Sequence, residues 1–525
     1  MHQSLNRLLL YILCACIGES NGLTIDYRSC KSACASLSSL LLVEQLDTYV
    51  ADFGLDPSIV GEAEGDVKSL FWAQQQQSLR PACLVHVQAV EDVTILIGTA
   101  RSTGCPLAVR GGGHSDIPGA SNSDGGITVN MAGLRNVVVD ESARVARVGA
   151  GATWGTVYRE LEKTNRTVVG GRLTDVGVGG LLLGGGLSHF SGLHGWGCDN
   201  IRNYEVVLAN GSVIDVSRST HPVLYRALRG GGNNFGVITR FDLELFDQGP
   251  VWGGLHVWPF SPSVTSAITG NFVRFAQEAP SDPHVSLFAG LGYMQGNFAW
   301  AIGQYDALGR EEPPILAQFR DNVEAYGAKK IVSTARVTSL SDLADELNRS
   351  EPAGKRSRFT TATFKVNKEL LQRMVGFFVE QVKKALDEGL HNDEAFKPML
   401  GIQPLTRNLL KEQAQRGGNV MGLNEEDGPL IVCSFGWEWS QQSDDKIVIA
   451  GIKAVLSQSV AAAKERELYH PFKYMNYAAE DQDPVASYGA DNVVFLKKAK
   501  EMYDSEGFFT KLVAGGFKIN SKLVI

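Results

Sequence analysis

The 525-residue chain has no run of basic residues, no Cys/His spacing of the kind that holds zinc, and no internal repeat. Its 49 Lys and Arg stand against 57 Asp and Glu, a formal net charge of −8. That balance offers no polycationic surface to a phosphate backbone, so nucleic acid is not an expected partner. Beyond the first twenty residues no uninterrupted apolar run reaches transmembrane length, so no membrane span is expected. Low-complexity tracts are absent too. Charged residues make up only 20% of the chain and hydrophobic ones 44%, the composition of a packed globule, and the length calls for two or three lobes. Nothing in the sequence points to an oligomeric state.

Cysteine is scarce, and its placement is informative. Cys14 and Cys16 lie inside Leu8–Ile17, an apolar stretch behind Arg7 that is too short to span a bilayer. Residues 1–20 therefore read as a secretory signal peptide, which implies secretion or the secretory pathway. Of the remaining six cysteines, one of Cys30 and Cys34 is expected to bridge to Cys83 in an oxidising compartment. Three Asn-x-Ser/Thr triplets, at Asn165, Asn210 and Asn348, are candidate glycosylation sites consistent with that route.

Glycine is abundant, 57 in all, and much of it is clustered. Residues 21–78 read as a mixed, largely helical N-terminal lobe. From Pro81 the grammar is strand (Cys83–Val90), helix (Glu91–Thr103), strand (Leu107–Val109), followed by Arg110, Gly111, Gly112, Gly113, His114 and Ser115. Three successive glycines allow positive φ and close approach, and their amides can converge on an anion beside Arg110. Further strands at Ile127–Met131, Arg144–Val148 and Phe235–Phe246, a helix at Thr153–Thr164 and an Asn210-Gly211 hairpin complete one glycine-rich α+β lobe over 79–247. Beyond it, aromatic-rich strands (Gly254–Trp258, Val285–Tyr293, Phe298–Tyr305, Phe359–Phe364, Leu430–Trp439) and two long helices (Lys368–Leu386, Asp444–Arg466) predict an antiparallel sheet flanked by helices, a second domain over 250–467. Residues 468–525 are expected to return to the first lobe.

A second cluster runs from Gly170 through Gly177, Gly179 and Gly180 to Gly184–Gly186, and a third spans Arg229–Thr239, including Gly236 and Val237. The second does not fit a dinucleotide fingerprint, because Leu182 stands where the last glycine belongs and no βαβ strand leads into it. Gly184–Gly186 also argue against a helix there, leaving a loop that packs backbone against a flat or charged ligand. Three such turns in one lobe point to a large ligand threaded between loops.

Together with Tyr474-Met475-Asn476-Tyr477, Ser487-Tyr488-Gly489 and Gly515-Gly516-Phe517-Lys518, these motifs resemble the berberine bridge enzyme type of flavin-linked oxidases, within the vanillyl-alcohol oxidase (PCMH-type FAD-binding) fold, and its fungal secreted branch in particular. The resemblance covers nearly everything after residue 34. It implies a two-lobed FAD-binding domain, with FAD bonded covalently to His114 and its diphosphate held by Arg110 and the amides of Gly111, Gly112, Gly113 and Ser115. Val176, Gly177, Gly179, Gly180, Gly236, Val237 and Asn476 would also contact the cofactor. Leu173 stands where many relatives carry a second, cysteinyl link, so a single attachment is implied. A small Val176 near the reactive face leans toward an oxidase.

Tyr477 matches the family's general base. A phenol, with a reference pKa of about 10, needs donors or a cation to lose its proton at neutral pH. Tyr474 or Asn476 is expected to supply such hydrogen bonds. On the Phe435–Trp439 strand, period-2 alternation puts Phe435, Trp437 and Trp439 on one face and Glu438 on the other. Glu438 then either meets substrate or is solvated, and Trp437 either lines the substrate site or fills a core. The resulting expectation is a secreted FAD-dependent oxidase. It would pass hydride from a small alcohol, phenol or amine to flavin, with O2 as the acceptor and H2O2 as product. The rival readings are a carbohydrate oxidase and a flavoprotein that only binds ligand or catalyses a redox-neutral cyclisation.

Overall fold

Cys83–His86, Leu107–Arg110 and Ile127–Asn130 are short apolar strands, and they pair in parallel with Ile127–Asn130 in the middle. Parallel strands are covered on both faces, which is why these read as continuous apolar runs. The crossover between the first two is the helix Val90–Thr103, which buries Val93, Leu96, Ile97 and Ala100 and stops at Gly104 in the left-handed conformation. Leu42–Gln45 adds an antiparallel edge. The computed structural model describes residues 27–45, 68–513 and 515–519, so the expected signal segment 1–20 lies outside the described residues.

Of the two cysteines expected as partners of Cys83, Cys34 forms the disulfide. A second one, Cys30–Cys105, was not anticipated. Together they staple the helix Tyr27–Leu37 to the first sheet, closing loops of 49 and 75 residues. Loop-closure entropy gives each roughly 4 kcal/mol. Cys198 and Cys433 are free and buried.

A five-stranded antiparallel sheet completes the first lobe, ordered Val137–Asp140, Val145–Gly149, Val237–Glu244, Ile201–Val207, Val213–Ser217. The Asn210-Gly211 hairpin joins the last two, with Gly211 at φ 82°. The mixed α+β architecture expected from the sequence is the one observed.

The second large sheet is antiparallel and runs Val332–Ser333, Val251–Pro259, Asn297–Asp306, Val285–Met294, Lys397–Leu405, Leu430–Trp439, Arg356–Lys365, Tyr469–His470, with Arg336–Thr338 also paired to the second strand. Lys397–Leu405 was missed in the sequence because Pro398 and Pro404 disguise it. They flank Met399–Ile402, the four residues that pair with Ala289–Gly292, so no donor is lost on that side. The helices Pro262–Glu278, Lys368–Asp387 and Asp445–Lys464 cover one face and share a core with Leu291, Trp300, Phe435, Trp437 and Trp439.

Three sequence expectations need correction. Val178–Leu183 is a short helix, not a loop; the glycines at 184–186 end it instead of preventing it. The segment Gln442–Lys464 is long and apolar enough, by length and composition, to cross a membrane, although its apolar residues are interrupted; here Val448, Ile452, Val455, Ala462 and Ala463 pack into the second core. Finally, Leu405, Leu409, Leu410, Val420, Met421 and Leu423 pack into the first core, so residues 250–467 do not all serve the second sheet.

Candidate functional site

The first and second glycine clusters need each other. A Cβ on Gly112 would lie 2.3 Å from the Gly177 nitrogen, and a Cβ on Gly177 would lie 2.3 Å from the Gly112 nitrogen. The two loops touch backbone to backbone, which only glycine permits. Gly113 sits at φ +72°, with its would-be Cβ 2.3 Å from the Leu70 carbonyl oxygen. Gly180 is different: a Cβ there meets nothing within 4 Å, so protein packing does not demand this glycine. Among the described residues no protein acceptor takes the amides of Gly112, Gly113, His114 or Ser115. Open space over Gly180 and a run of unspent donors suit a phosphate-bearing cofactor lying across the loops.

Arg110 is more occupied than expected. Its Nε donates to Leu70 O at 2.8 Å and its Nη1 to Asn130 Oδ1 at 2.9 Å, bracing the glycine loop that follows it against Leu70. Burial lowers its pKa to about 10. His114 stacks on Trp72 with ring centroids 4.5 Å apart. Desolvation lowers its pKa to about 4, against smaller opposing effects from its own backbone and Asp175. A neutral imidazole is the nucleophilic form, as covalent attachment requires. Ser115 turns its Oγ to the Ile117 amide.

The 3-10 turn Met475–Tyr477 docks on the second cluster. A Cβ on Gly184 would fall 1.9 Å from Asn476 Oδ1, and Asn476 Nδ2 donates to Leu181 O and to Tyr474 Oη, each at 3.0 Å. Tyr474 Oη also accepts from the amides of Gly186 and Leu187. These two residues were expected to support Tyr477 by hydrogen bonds, and they do not. Tyr474 meets Tyr477 edge-on at 4.9 Å. The hydrogen bonds come from residues the sequence reading passed over: Arg172 Nη2 and Gln403 Nε2 both donate to Tyr477 Oη at 2.7 Å. One donor is a guanidinium, and with both the phenol oxygen is the acceptor. Arg172 does bear a visible signal, an arginine abutting a glycine pair. Gln403 had none, lying on the strand hidden by proline.

The sheet face opposite the helices carries Gln403, Met399, Gly401, Gly436, Gly290 and Gly292, with Phe359 on the neighbouring strand. Phe359 stacks between Trp72 (6.1 Å) and Tyr477 (6.4 Å), and its amide donates to Asp116 Oδ2 at 2.8 Å. This joins the cofactor loop to the sheet. Glu438 is on this face as the alternation requires, but it is only 6% exposed, so the solvated reading is wrong. Desolvation, with Glu351 adding to it, raises its pKa to about 8. Its Oε1 and the Oγ of Ser357, directly opposite in register, are buried without a partner among the described residues. Trp437 points the other way, packed edge-on against Phe378 and Phe396 in the second core, so it fills that core and does not line the site.

The third cluster serves mainly to hold the chain's end. Asn233 and Asn234 donate to Gly515 O and Phe517 O, and the Lys518 ammonium donates to Asn233. Gly236 allows contact with Val206 and Val207, and Val237 is buried at the start of its strand. Leu173 packs with Val251, Tyr305, Leu343 and Leu347, while Val176 borders the first core. Of the sequons, Asn165 and Asn210 are exposed; Asn348 instead donates its amide to Asp175 at 2.7 Å.

Residues 81–217 match the model of an FAD-binding domain family. The FAD-dependent monooxygenase FUP4 of Fusarium proliferatum is 70% identical over 99% of this chain and all of its own length. The chain belongs to this family of FAD-linked oxidoreductases. Another member, the FAD-dependent monooxygenase tpcD of Cochliobolus heterostrophus, is 70% identical over 97% of this chain and 98% of its own. Among solved structures, 6-hydroxy-D-nicotine oxidase from Arthrobacter nicotinovorans superposes with a TM-score of 0.71 at 19% identity, covering 96% of this chain and 100% of its own. Glucooligosaccharide oxidase from Acremonium strictum gives 0.73 at 18% identity, over 94% of this chain and 100% of its own. Those likenesses establish the fold of the family, a berberine bridge enzyme type flavin fold, and the enzyme is an FAD-binding oxidoreductase.

Proposed function

We propose that the enzyme is a secreted, O2-dependent oxidase of a small organic substrate, with FAD bonded to His114 alone and Tyr477 as the general base. The observation that carries the reading is the pair of donors on Tyr477 Oη, 2.7 Å from Arg172 and from Gln403. Bound FAD supplies the hydride acceptor and the site of reoxidation by O2. The protein's own groups do the rest. The amides of 112–115 and the open ground over Gly180 hold the cofactor, and Trp72 fixes the plane of the His114 ring. Tyr477 accepts the substrate's proton, stabilised by its two donors. Substrate loses a hydride and a proton, and O2 takes two electrons and two protons to become H2O2.

Two disulfides beside the first sheet support passage through an oxidising compartment, and exposed Asn165 and Asn210 support glycosylation there. Leu173 in place of a cysteine supports the single link, in contrast to the 6-S-cysteinyl, 8α-N1-histidyl FAD of the Acremonium enzyme. The names of the 70% identical relatives favour a second reading, in which one oxygen atom of O2 enters the product.

Acid precipitation tests the anchor: yellow colour stays with the wild-type pellet and leaves with the supernatant in His114→Ala. A colourless wild-type pellet refutes covalent attachment. Stoichiometric H2O2 supports the oxidase, whereas label from 18O2 in the product supports the second reading.

A further inference from the structure

Both groups that hold Tyr477 also line a cavity between the lobes. It is an open-sided cleft whose roughly 500 Å³ of empty space includes open solvent. Arg172 and Gln403 contribute to its wall, as do His189, Ser286, Phe288 and Asn408. His189 is 8% exposed; its Nδ1 lies 3.3 Å from Ser286 Oγ, its ring lies 3.7 Å from Tyr305, and its Nε2 has no partner among the described residues. Asn408 Nδ2 donates to Gly192 O at 2.7 Å, and its buried Oδ1 has no donor among the described residues. Unpaired buried polar atoms cost roughly 1–3 kcal/mol each, so a site that keeps them is built to be completed by a ligand or by water.

The chemistry of the wall is one-sided. Among the described residues that line it, Arg172 is the only charged one and none carries a carboxylate. The Arg172 guanidinium lies 5.5 Å from the Phe288 ring centre, so cation and aromatic face sit side by side. Burial and the Arg172 charge hold His189 neutral, able to donate from one ring nitrogen and accept at the other. A ligand that satisfies these groups presents an acceptor oxygen to Arg172, an O–H to Asn408 Oδ1, and a flat carbon skeleton to Phe288. A protonated amine meets a cation and no counter-charge.

Resting on the oxidase reading, we infer that this cavity is the substrate's recognition pocket and that it selects hydroxyl- and carbonyl-bearing aromatic molecules over cationic amines. Calorimetric titration of the flavin-loaded protein with 2-hydroxyacetophenone, acetophenone and benzylamine tests this. The hydroxyketone binds at least about tenfold more tightly than benzylamine. Asn408→Leu weakens the hydroxyketone about tenfold and leaves acetophenone unchanged; His189→Phe, of similar bulk, weakens it too. Asn408→Asp raises the affinity for benzylamine, a gain that misfolding cannot produce. Benzylamine binding as tightly as the hydroxyketone, no binding of any probe, or unchanged affinities in flavin-replete variants each overturn the inference. Failure of the base assignment shows elsewhere, as turnover retained by Tyr477→Phe, and is independent of probe selectivity.

Discussion

Gly177→Ala and Gly180→Ala lie three residues apart and should fail in different ways. At Gly177 the added methyl would sit 2.3 Å from the Gly112 nitrogen and 2.8 Å from its Cα. Both are backbone atoms, so no rotamer relieves the clash, and ordinary contact begins only at 3.4 Å. The two loops must part by about 1 Å, at an overpacking cost of roughly 1–3 kcal/mol. Because Gly112 is followed by Gly113 and His114, the same displacement moves His114, the proposed anchor of the cofactor. Gly180 has no protein atom within 4 Å of its would-be Cβ and lies inside the helix Val178–Leu183. Alanine there gains about 0.5–1 kcal/mol of helix propensity while filling the ground assigned to the cofactor. The expected outcome is a lower apoprotein Tm and little flavin for Gly177→Ala, against an unchanged or higher apoprotein Tm and little flavin for Gly180→Ala. Differential scanning calorimetry and the flavin-to-protein absorbance ratio read both. A Gly180→Ala protein with full flavin would remove the argument that the open space belongs to the cofactor. An unperturbed Gly177→Ala protein would show that the loops do not interlock.

Glu438 makes a pH-linked prediction. Its folded pKa, about 8, lies above the ordinary 4.5, so the native state holds a proton that the unfolded chain releases. The associated stability is complete below about pH 4.5 and is lost as pH rises through 8, with a ceiling of roughly 5 kcal/mol shared with Glu351. Glu438→Gln should flatten the fall of Tm across that window; parallel Tm profiles for wild type and variant would refute it. Arg172→Met removes the charged donor from Tyr477 Oη and should lower kcat about 10- to 100-fold with flavin content intact, measured by steady-state O2 uptake. Cys30→Ser with Cys105→Ser opens a 75-residue loop and should cost roughly 4 kcal/mol of unfolding free energy, without affecting Cys34–Cys83; denaturant titration measures it.

Local features were legible in the sequence and distant pairings were not. The Gly111–His114 turn, the crossover helix and the Asn210-Gly211 hairpin each depend on a few consecutive residues whose backbone preferences are strong. The same reasoning misjudged Val178–Leu183, because glycines that end a helix look locally like glycines that forbid one. It lost Lys397–Leu405 because proline matters only on the side where a donor is needed, and that side is a tertiary fact. With that strand went Gln403. Arg172 reaches Tyr477 across 305 residues of sequence, and Glu438 meets Glu351 from a distant part of the sequence.

The division follows function. In the proposed site the cofactor is held by backbone amides and by the absence of Cβ atoms, so that site is written in runs of glycine. The proposed substrate recognition and proton transfer depend on side chains delivered singly by a strand, a helix end and a loop: Gln403, Asn408, His189, Arg172. Apart from Arg172, which abuts a glycine pair, none of these has a motif, because what each requires is a neighbour and not a sequence context. Two chains that share every glycine turn of this lobe can therefore differ at all four positions. The identity of those four, more than the glycine signature, should separate enzymes of this fold that oxidise oxygenated aromatics from those that oxidise amines.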